Sequence, residues 1–482
     1  MKISDILLKD EILTSEIDMN ASFNKPATLP SEISEDDILI IPNPSRIPDF
    51  SRSSQLPKAV ICEEKAVLPY IIPRIIVKNS RISTAMAFYR YNKIDLNKTK
   101  LIAVTGTNGK SSTAFFIKQI LTNLGLSVGL IGTGKIEIGD EVISSSYYSM
   151  TTPDPPLLYS SLRKMQDAGC DAIVMEVSSH SLAQYKIEPL TFDFALFTNL
   201  SPEHLDYHKD INNYFMTKMK LFSKSNLSIF NVDDHHVNQA CHMCEGNKIS
   251  AGINGSGDYN ATNIRNNGFI GIDYQLNSVN KKIKVSLSVP GMYNVYNSML
   301  AIITCINMGF GSTEIENAVS KLQPLTGRYD IIRDKITVII DYAHTPYAYK
   351  TILNEIAYIK ENAKLSVVFG CGGNRDRLKR PEIAKIVEKY ADTIIVTSDN
   401  SRDEDFNRII DDIKEGFSTD KYLIIKDRSE AINQAILCAN DGDIVAIIGK
   451  GAEAYNIDQD GYHIFNEHVI VDTALKSRNK CE

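Results

Sequence analysis

No stretch of this 482-residue chain is apolar over the roughly 20 residues that a membrane-spanning helix requires. The opening segment, MKISDILLKDEIL, interrupts its apolar residues with Asp5, Asp10 and Glu11. It lacks the apolar core and small-residue cleavage site of a secretory leader, so the expectation is a cytoplasmic protein with no stable membrane insertion. Cysteine is sparse. The eight cysteines are scattered, as reduced thiols would be, and the one close pair, Cys241 and Cys244, has no second pair at zinc spacing. With 26 glycines and 17 prolines there is no excess of either, which excludes collagen-like and low-complexity chains. Positive charge is not in excess. A net charge of −7 argues against nucleic acid or an anionic membrane as the main partner, while leaving room for a local basic pocket that takes a phosphorylated small molecule. There is no short-period repeat. The composition that remains, 43% hydrophobic and 23% charged, is that of a globular protein, and the length implies about three domains.

Residues 1–95 are irregular: Pro26, Pro30, Pro42, Pro44, Pro48 and Pro57 punctuate short apolar pieces such as 38–41 and 59–62. This predicts a small α/β or β-rich module with many turns. From about residue 98 short apolar runs alternate with helical patterns. Strands are expected at 101–104, 127–131, 172–177, 194–198 and 227–231, and helices at 110–124, 157–168 and 214–222. That alternation implies a parallel sheet covered on both faces. Residues 265–290 alternate like a half-exposed strand, and a helix is expected at 294–308. Asp233-Asp234-His235-His236 reads as a solvated polar loop rather than a metal site. After Pro324 a second series begins, with strands at 337–341, 365–369, 393–396 and 444–448 and helices at 347–359, 381–390, 405–416 and 429–439. This is the pattern of a doubly wound, Rossmann-like domain. The fold class is therefore α/β in three domains: 1–95, a central P-loop, parallel-sheet ATPase-like domain at 96–324, and a doubly wound domain at 325–482.

The most chemically explicit segment is LIAVTGTNGKSST at 101–113. A strand runs into Gly106-Thr107-Asn108-Gly109-Lys110-Ser111-Ser112, and a helix follows. Glycines let backbone N–H groups face phosphate oxygens, and the helix start adds partial positive charge. Lys110 can reach the β- and γ-phosphates, and the Ser111 hydroxyl can hold Mg²⁺. The loop is shorter than the usual G-x-x-x-x-G-K-[ST], so the bland alternative is a structural turn with an exposed lysine. Glu176 ends the apolar run AIVMEV at the carboxyl edge of a strand, where α/β proteins bind ligands, although a lone glutamate there is also an ordinary capping group.

VTGTNGKSS at 104–112 resembles the Mur ligase family of ATP-dependent amide-forming enzymes. The likeness continues in order through TTP (151–153), EVSSH (176–180), TNLSPEHLDYH (198–208), GMYNVYN (291–297), GRYD (327–330), DYAHTP (341–346), FGCGGNRD (369–376) and GKGAE (449–453). The resemblance implies one domain each for a uridine nucleotide sugar (1–95), for ATP (96–324) and for the incoming amino acid (325–482). It implies a ligase that uses ATP and Mg²⁺ to make an acyl phosphate on UDP-N-acetylmuramoyl-L-alanyl-D-glutamate and then adds meso-2,6-diaminopimelate, a step in peptidoglycan precursor synthesis. The chain is expected to act as a monomer on these small-molecule substrates.

Residue by residue, the resemblance implies catalytic roles for Lys110, Glu176, His204 and Lys218, with Ser111, Glu176, His204 and Lys218 placing the metal. Lys218 matches a lysine that the family carbamoylates to a carboxylate-like group. Asn294, Asn297, Arg328, Asp341, Tyr342 and His344 are implied at the nucleotide. Leu29, Ser31, Thr151, Thr152, Ser178, Gln184 and Lys186 are implied at the UDP-sugar dipeptide. Arg375, Asp399, Asn400, Ser401, Arg402, Gly449 and Glu453 are implied at diaminopimelate. Relatives that add this amino acid carry Asp-Asn-Pro-Arg where this chain has Asp399-Asn400-Ser401-Arg402, and a guanidinium can clamp the second carboxylate that lysine lacks.

Several positions depart from the family pattern. Ser401 replaces a proline, which should loosen its loop, and Ala452 replaces a histidine. Met150, Lys186 and Lys209 stand at asparagine, arginine and glycine positions. TLPSE at 28–32 only faintly matches the family's TLDSR. Three other functions are consistent with parts of the pattern: the same ligase using L-lysine, a folylpolyglutamate-type ligase, and an idle ATP-binding scaffold in cell-wall assembly. Ser111 and the DNSR string count against the second, and the joint presence of Lys110, Glu176, His204 and Lys218 counts against the third.

Overall fold

The computed structural model describes residues 1–53, 55–145, 150–253, 255 and 257–479; of the eight cysteines, Cys481 lies outside these. The chain forms two compact units. One comprises residues 1–106, 117–200 and 212–251, the other residues 107–116, 201–211 and 252–482.

In the first unit the proline-punctuated segment folds into a five-stranded sheet in the order Ile12–Ser15, Arg74–Val77, Ala59–Cys62, Ile38–Ile40, Pro26–Ala27. All pairs are parallel except the first. The strands are only two to four residues long; Pro42 follows one, Pro57 and Pro73 precede two others and Pro26 begins a fourth, and a proline cannot donate to a ladder. The helix Ser80–Tyr91 follows, started by Asn79, whose side chain accepts from the backbone N–H groups of Arg81 and Ile82.

A second sheet of this unit runs in parallel through Lys248–Gly252, Ser225–Asn231, Phe192–Phe197, Lys100–Thr105, Ala172–Glu176 and Val128–Gly132. Of its central strands, Ala172–Glu176 is buried from end to end and Lys100–Thr105 at every residue after Lys100, as strands covered on both faces must be. Lys135–Ile138 and Glu141–Ser145 extend it antiparallel.

The second unit contains an antiparallel meander of Tyr259–Asn266, Ile272–Asn277 and Lys282–Leu287. The single half-exposed strand expected over 265–290 is thus corrected to two strands and part of a third. The alternation was real, as the burial of Lys282–Leu287 shows, but the polar turn at 278–281 divides it. The helix Met292–Asn307 follows, buried along most of its length.

The C-terminal sheet has the order Asp330–Arg333, Thr337–Asp341, Ile444–Ile448, Leu365–Phe369, Thr393–Val396, Leu423–Ile424, parallel except at its first pair. Alternate residues serve two cores. Ile339, Val367, Val396 and Ala446 face one, and Val338, Val368, Ile395 and Val445 face the other. This is the doubly wound arrangement, and the four expected strands here match to the residue. The α/β class holds throughout.

Other expectations need adjustment. Asp233-Asp234-His235-His236 is not a loop: Asp234 caps the helix His235–Met243 by accepting from Val237 N–H, and it also accepts from Leu200 N–H. The helix expected at 214–222 begins at Ile211 and ends at Met219, with a 3₁₀ turn at Phe222–Lys224. Cys241 and Cys244 are both buried, as packing residues would be. Among the described residues no helix is long and apolar enough to cross a membrane.

The last two helices of the second unit, Arg428–Cys438 and Glu467–Arg478, are joined by a wholly buried ion pair, with Arg428 Nε 2.7 Å from Glu467 Oε1. The same guanidinium donates to the carbonyls of Ser398 and Ile448 at two strand ends. Arg428→Met would leave a buried carboxylate without its cation, and we expect a loss of about 4 kcal/mol in the urea unfolding of this unit. Arg428→Met combined with Glu467→Gln should recover part of that loss; equal midpoints for Arg428→Met and the unsubstituted protein would contradict the assignment.

Candidate active site

The strand Lys100–Thr105 ends at Gly106, and the helix Lys110–Asn123 begins four residues later. Two glycines make the intervening loop possible. Gly106 has φ +149°, and a Cβ there would stand 1.9 Å from Thr198 Oγ1. Gly109 has φ +81°, and its Cβ would stand 2.5 Å from Asn297 Oδ1. Any other residue would push the loop off its supports. Lys110 Nζ donates to the Thr107 carbonyl at 2.7 Å, folding its cation back over the loop. Thr107 Oγ1 donates to the Ser201 carbonyl and accepts from Ser201 N–H. Thr113 Oγ1 donates to Asn297 Oδ1, Asn297 Nδ2 to Asn294 Oδ1, and Asn294 Nδ2 to the Pro290 carbonyl. Asn294 and Asn297, expected at the nucleotide, therefore form a buried amide chain under the loop.

Also in the second unit, Glu203 lies between two histidines, 3.3 Å from His344 Nε2 and 3.9 Å from His204 Nε2. Burial pushes its carboxyl up, but the hydrogen bond from His344 and the charges of His344, His204 and Lys110 outweigh this and hold it far below the usual range. His204 occupies the left-handed region at φ +54°. Glu203 was not singled out by sequence reasoning, although it sits inside TNLSPEHLDYH; nothing in the string marks it over the neighbouring histidine. Arg328 stacks over the Tyr342 ring at 4.2 Å. Asp341 accepts from Tyr329 N–H and Ala343 N–H, both at 2.7 Å. Its carboxyl is pushed up by burial, against the pull of Arg328.

In the first unit, Glu176 accepts from Thr133 N–H at 2.9 Å and from Thr133 Oγ1 at 3.2 Å. Thr133 Oγ1 lies 3.3 Å from Thr151 Oγ1. Thr152 Oγ1 donates to the Glu176 carbonyl and accepts from Ser178 N–H. Thr151, Thr152, Glu176 and Ser178 thus form one hydroxyl-rich cluster at a strand end. Lys218 is 1% exposed; its Nζ donates to the Gly106 carbonyl at 2.9 Å and sits 4.6 Å from the centre of the Tyr214 ring. A cavity of about 440 Å³ in the same unit gathers Leu29, Ser31, Gln184 and Lys186, together with Arg46, Arg52 and Arg81, which sequence reasoning did not select. Lys186 is paired with Asp154 at 2.7 Å.

A last cluster lies at the carboxyl ends of the C-terminal strands. Arg402, at φ +52°, donates to the carbonyls of Gly373 and Asn400. Burial and the neighbouring Arg375 charge both push its pKa down. Asn400 Nδ2 donates to Glu453 Oε2 at 2.8 Å, and Lys450 Nζ donates to Asn400 Oδ1 at 2.8 Å. Lys450 is also 3.6 Å from Asp399 and 3.5 Å from Glu453. Burial pushes the Asp399 carboxyl up, yet Lys450 and Arg428 hold it below its ordinary value. The Cβ position at Gly449 would lie 3.0 Å from Asp399 Oδ2. Of the residues expected here, Arg375, Asp399, Asn400, Arg402, Gly449 and Glu453 come together. Ser401 turns its carbonyl to Glu404 N–H. Lys450 was missed, although it lies within GKGAE. Among the described residues no group of three or more His, Cys, Asp or Glu side chains is placed to hold a metal ion.

Comparison with known proteins fits this geometry. The Mur ligase middle domain matches residues 104–305, and the Mur ligase glutamate ligase domain matches residues 327–451. The UDP-N-acetylmuramoyl-L-alanyl-D-glutamate–2,6-diaminopimelate ligase of Clostridium botulinum is 36% identical over 426 residues, covering 87% of each chain. The ligase of the same name from Aquifex aeolicus is 38% identical over 408 residues, covering 84% of this chain and 83% of its own. A solved structure of a ligase so named superposes with a TM-score of 0.67 at 26% identity, over 99% of both chains. A folylpolyglutamate synthase from Mycobacterium tuberculosis shares the fold at 18% identity and a TM-score of 0.62, over 77% of this chain and 92% of its own. With a glycine loop ending in Lys110, a carboxylate at a strand end and more than four fifths of the chain matched at this identity, the protein belongs to the Mur ligase family.

Proposed function

We propose that this chain adds meso-2,6-diaminopimelate to UDP-N-acetylmuramoyl-L-alanyl-D-glutamate in peptidoglycan precursor synthesis, consuming ATP and releasing ADP and phosphate. The observation that carries the reading is the 36–38% identity to ligases of that name over most of their length. The pairing of Arg402 with Arg375 at the end of the C-terminal sheet supports it, because two guanidinium groups suit a second carboxylate.

Joining a carboxylate to an amine requires a leaving group, and ATP supplies one by phosphorylating the glutamyl carboxylate, so that the amine displaces phosphate. The residues position the reactants and offset charge. In this reading Lys110 leaves the Thr107 carbonyl to meet the β- and γ-phosphates, and Gly106, Thr107, Asn108, Gly109, Ser111 and Ser112 line the triphosphate. Asn294, Asn297, Arg328, Asp341, Tyr342 and His344 form the rest of the nucleotide site. Thr151, Thr152 and Ser178 hold the dipeptide end of the acceptor. The cavity with Leu29, Ser31, Gln184 and Lys186 takes its uridine end, with Arg46, Arg52 and Arg81 supplying positive charge. Arg375 and Arg402 take the distal carboxylate of diaminopimelate, and Asp399, Asn400 and Glu453 face its ammonium. We divide these tasks among residues 1–95, 96–324 and 325–482, and place the reaction in the cytoplasm, carried out by a monomer.

The Ser111 hydroxyl and the Glu176 carboxylate are oxygen donors of the kind Mg²⁺ takes. Lys218 as a cation cannot be a ligand; it fits only as a carbamate, formed when its neutral amine takes up CO₂ and releases a proton, and burial favours the neutral amine that this step needs. His204 is the remaining donor that the family resemblance implies. Bound Mg²⁺ would neutralise phosphate charge and lower the repulsion between the two anions.

The deciding experiment is ADP release with the nucleotide dipeptide and a panel of amino acids. Diaminopimelate should be preferred, and preference for L-lysine would overturn the substrate assignment. Oxygen-18 placed in the glutamyl carboxylate should appear in the phosphate released. Lys110→Ala should lower turnover by at least about a hundredfold. Lys218→Ala should do the same, with partial recovery in short carboxylates; unimpaired rates would remove the carbamate from the scheme. Arg402→Ala should raise KM for diaminopimelate by about tenfold or more while leaving KM for ATP in place.

A further inference from the structure

Arg375 and Arg402 stand on different loops, and their charges repel. Both approach Gly372: a Cβ there would lie 3.2 Å from Arg402 Nη1 and 3.8 Å from Arg375 Cγ. Arg402 is half-buried and Arg375 exposed, so solvent screens their repulsion only in part. Whatever holds the loop that carries Arg375 against the loop that carries Arg402 sets how far apart the two guanidinium groups stand.

Arg380 is the group placed to do so. It is 0% exposed, on the first turns of the helix Lys379–Tyr390. Its four terminal N–H groups meet four acceptors. Nη1 donates to Glu404 Oε1 at 2.8 Å and to Asp412 Oδ2 at 2.7 Å. Nη2 donates to Glu404 Oε2 at 2.7 Å and to the Gly372 carbonyl at 3.2 Å. Glu404 in turn accepts from Asn374 N–H at 2.9 Å, and Gly373 N–H donates to the Asn400 carbonyl. Arg377 closes the network with two bonds to Asp412. One guanidinium thus ties Gly372 on the first loop, Glu404 on the second and Asp412 on the helix Phe406–Lys414 behind both. The bond from Arg380 holds the Glu404 carboxyl down at about 2, so the strut stays ionised at any physiological pH.

We propose that Arg380 is a positioning residue: it sets the separation of Arg375 and Arg402, and through it the recognition of the second carboxylate of the incoming amino acid. This rests on the assignment of those two arginines to diaminopimelate. A lysine at 380 keeps the charge but cannot make the forked contact with Glu404 while also reaching Gly372 and Asp412.

The test uses the full-length enzyme and the ADP-release assay, with folding checked by circular dichroism and thermal unfolding. Arg380→Lys should raise KM for diaminopimelate about tenfold and leave KM for ATP and for the nucleotide dipeptide within about twofold. In the double variant with Arg402→Ala, KM for diaminopimelate should be no higher than in Arg402→Ala alone, because Arg380 acts through Arg402. Glu404→Gln should give a smaller rise in the same constant, and it decides the matter if Arg380→Lys does not fold. An unchanged KM for diaminopimelate, an equal rise in KM for ATP, or multiplicative effects in the double variant would overturn the inference. If Arg402→Ala itself leaves KM for diaminopimelate unchanged, the pocket assignment fails and this inference falls with it. If Arg402→Ala raises it while Arg380→Lys and Glu404→Gln do not, only the role of Arg380 is lost.

Discussion

Cations buried at the carboxyl ends of parallel strands are the constraint around which the rest of this protein is arranged. Lys218 is packed against the Gly106 carbonyl, Arg428 against the carbonyls of Ser398 and Ile448, and Lys450 against Asn400 and Asp399. Each is taken out of water at a cost of several kcal/mol unless carbonyls or carboxylates replace its hydration. Parallel strands supply such acceptors at their ends, where loop carbonyls are left without a partner in the ladder. Arg428 and Lys450 thereby fix the segment 398–400 that leaves the end of the strand Thr393–Val396.

The charges are not simply positive. Glu203 holds two histidines near Lys110, Asp399 and Glu453 stand against Lys450, and Glu404 and Asp412 surround Arg380. Each carboxylate does two things: it keeps a cation stable before the substrate binds, and it fixes where that cation points. Glu203, Asp399 and Glu404 all titrate below their ordinary range, so all three remain charged through neutral pH. Protonation at low pH removes stability in the sense expected of depressed carboxyls: the contribution is full above about pH 4.5 and fades as pH falls toward the depressed values.

How much of this could be read from residues alone depended on whether a feature is local. The strands at 337–341, 365–369, 393–396 and 444–448 are continuous apolar runs, and continuous runs identify themselves. The loop from Gly106 to Ser111 is legible because its glycines, lysine and serine act within six consecutive positions. Arg380, Arg428 and Lys450 were not legible. A buried cation looks like any surface arginine or lysine until its acceptors, some of them 50 or more positions away, are known. The hairpin of Tyr455–Asp458 and Gly461–Ile464 was also missed, because each strand has four residues and none of them is buried, too little for period two to rise above chance.

The N-terminal segment makes the converse point. Its match to the family pattern is faint, since TLPSE shares little with the expected string. Yet its short strands and loops still line a cavity with Arg46, Arg52 and Arg81 on one side and Gln184 and Lys186 on the other. Lys186 is already engaged with Asp154, so most of the unspent positive charge in that cavity comes from the arginines of a segment whose sequence gives the weakest signal. An anion such as a pyrophosphate is recognised by charge density and N–H donors, and these can be supplied from many loop positions. A phosphate loop must instead present backbone N–H groups in one fixed turn, which only particular residues in a particular order allow. A string is therefore legible where the backbone does the binding and harder to read where side chains do. In this chain the difference separates 101–113, which reads at once, from 28–52, which becomes intelligible only when folded.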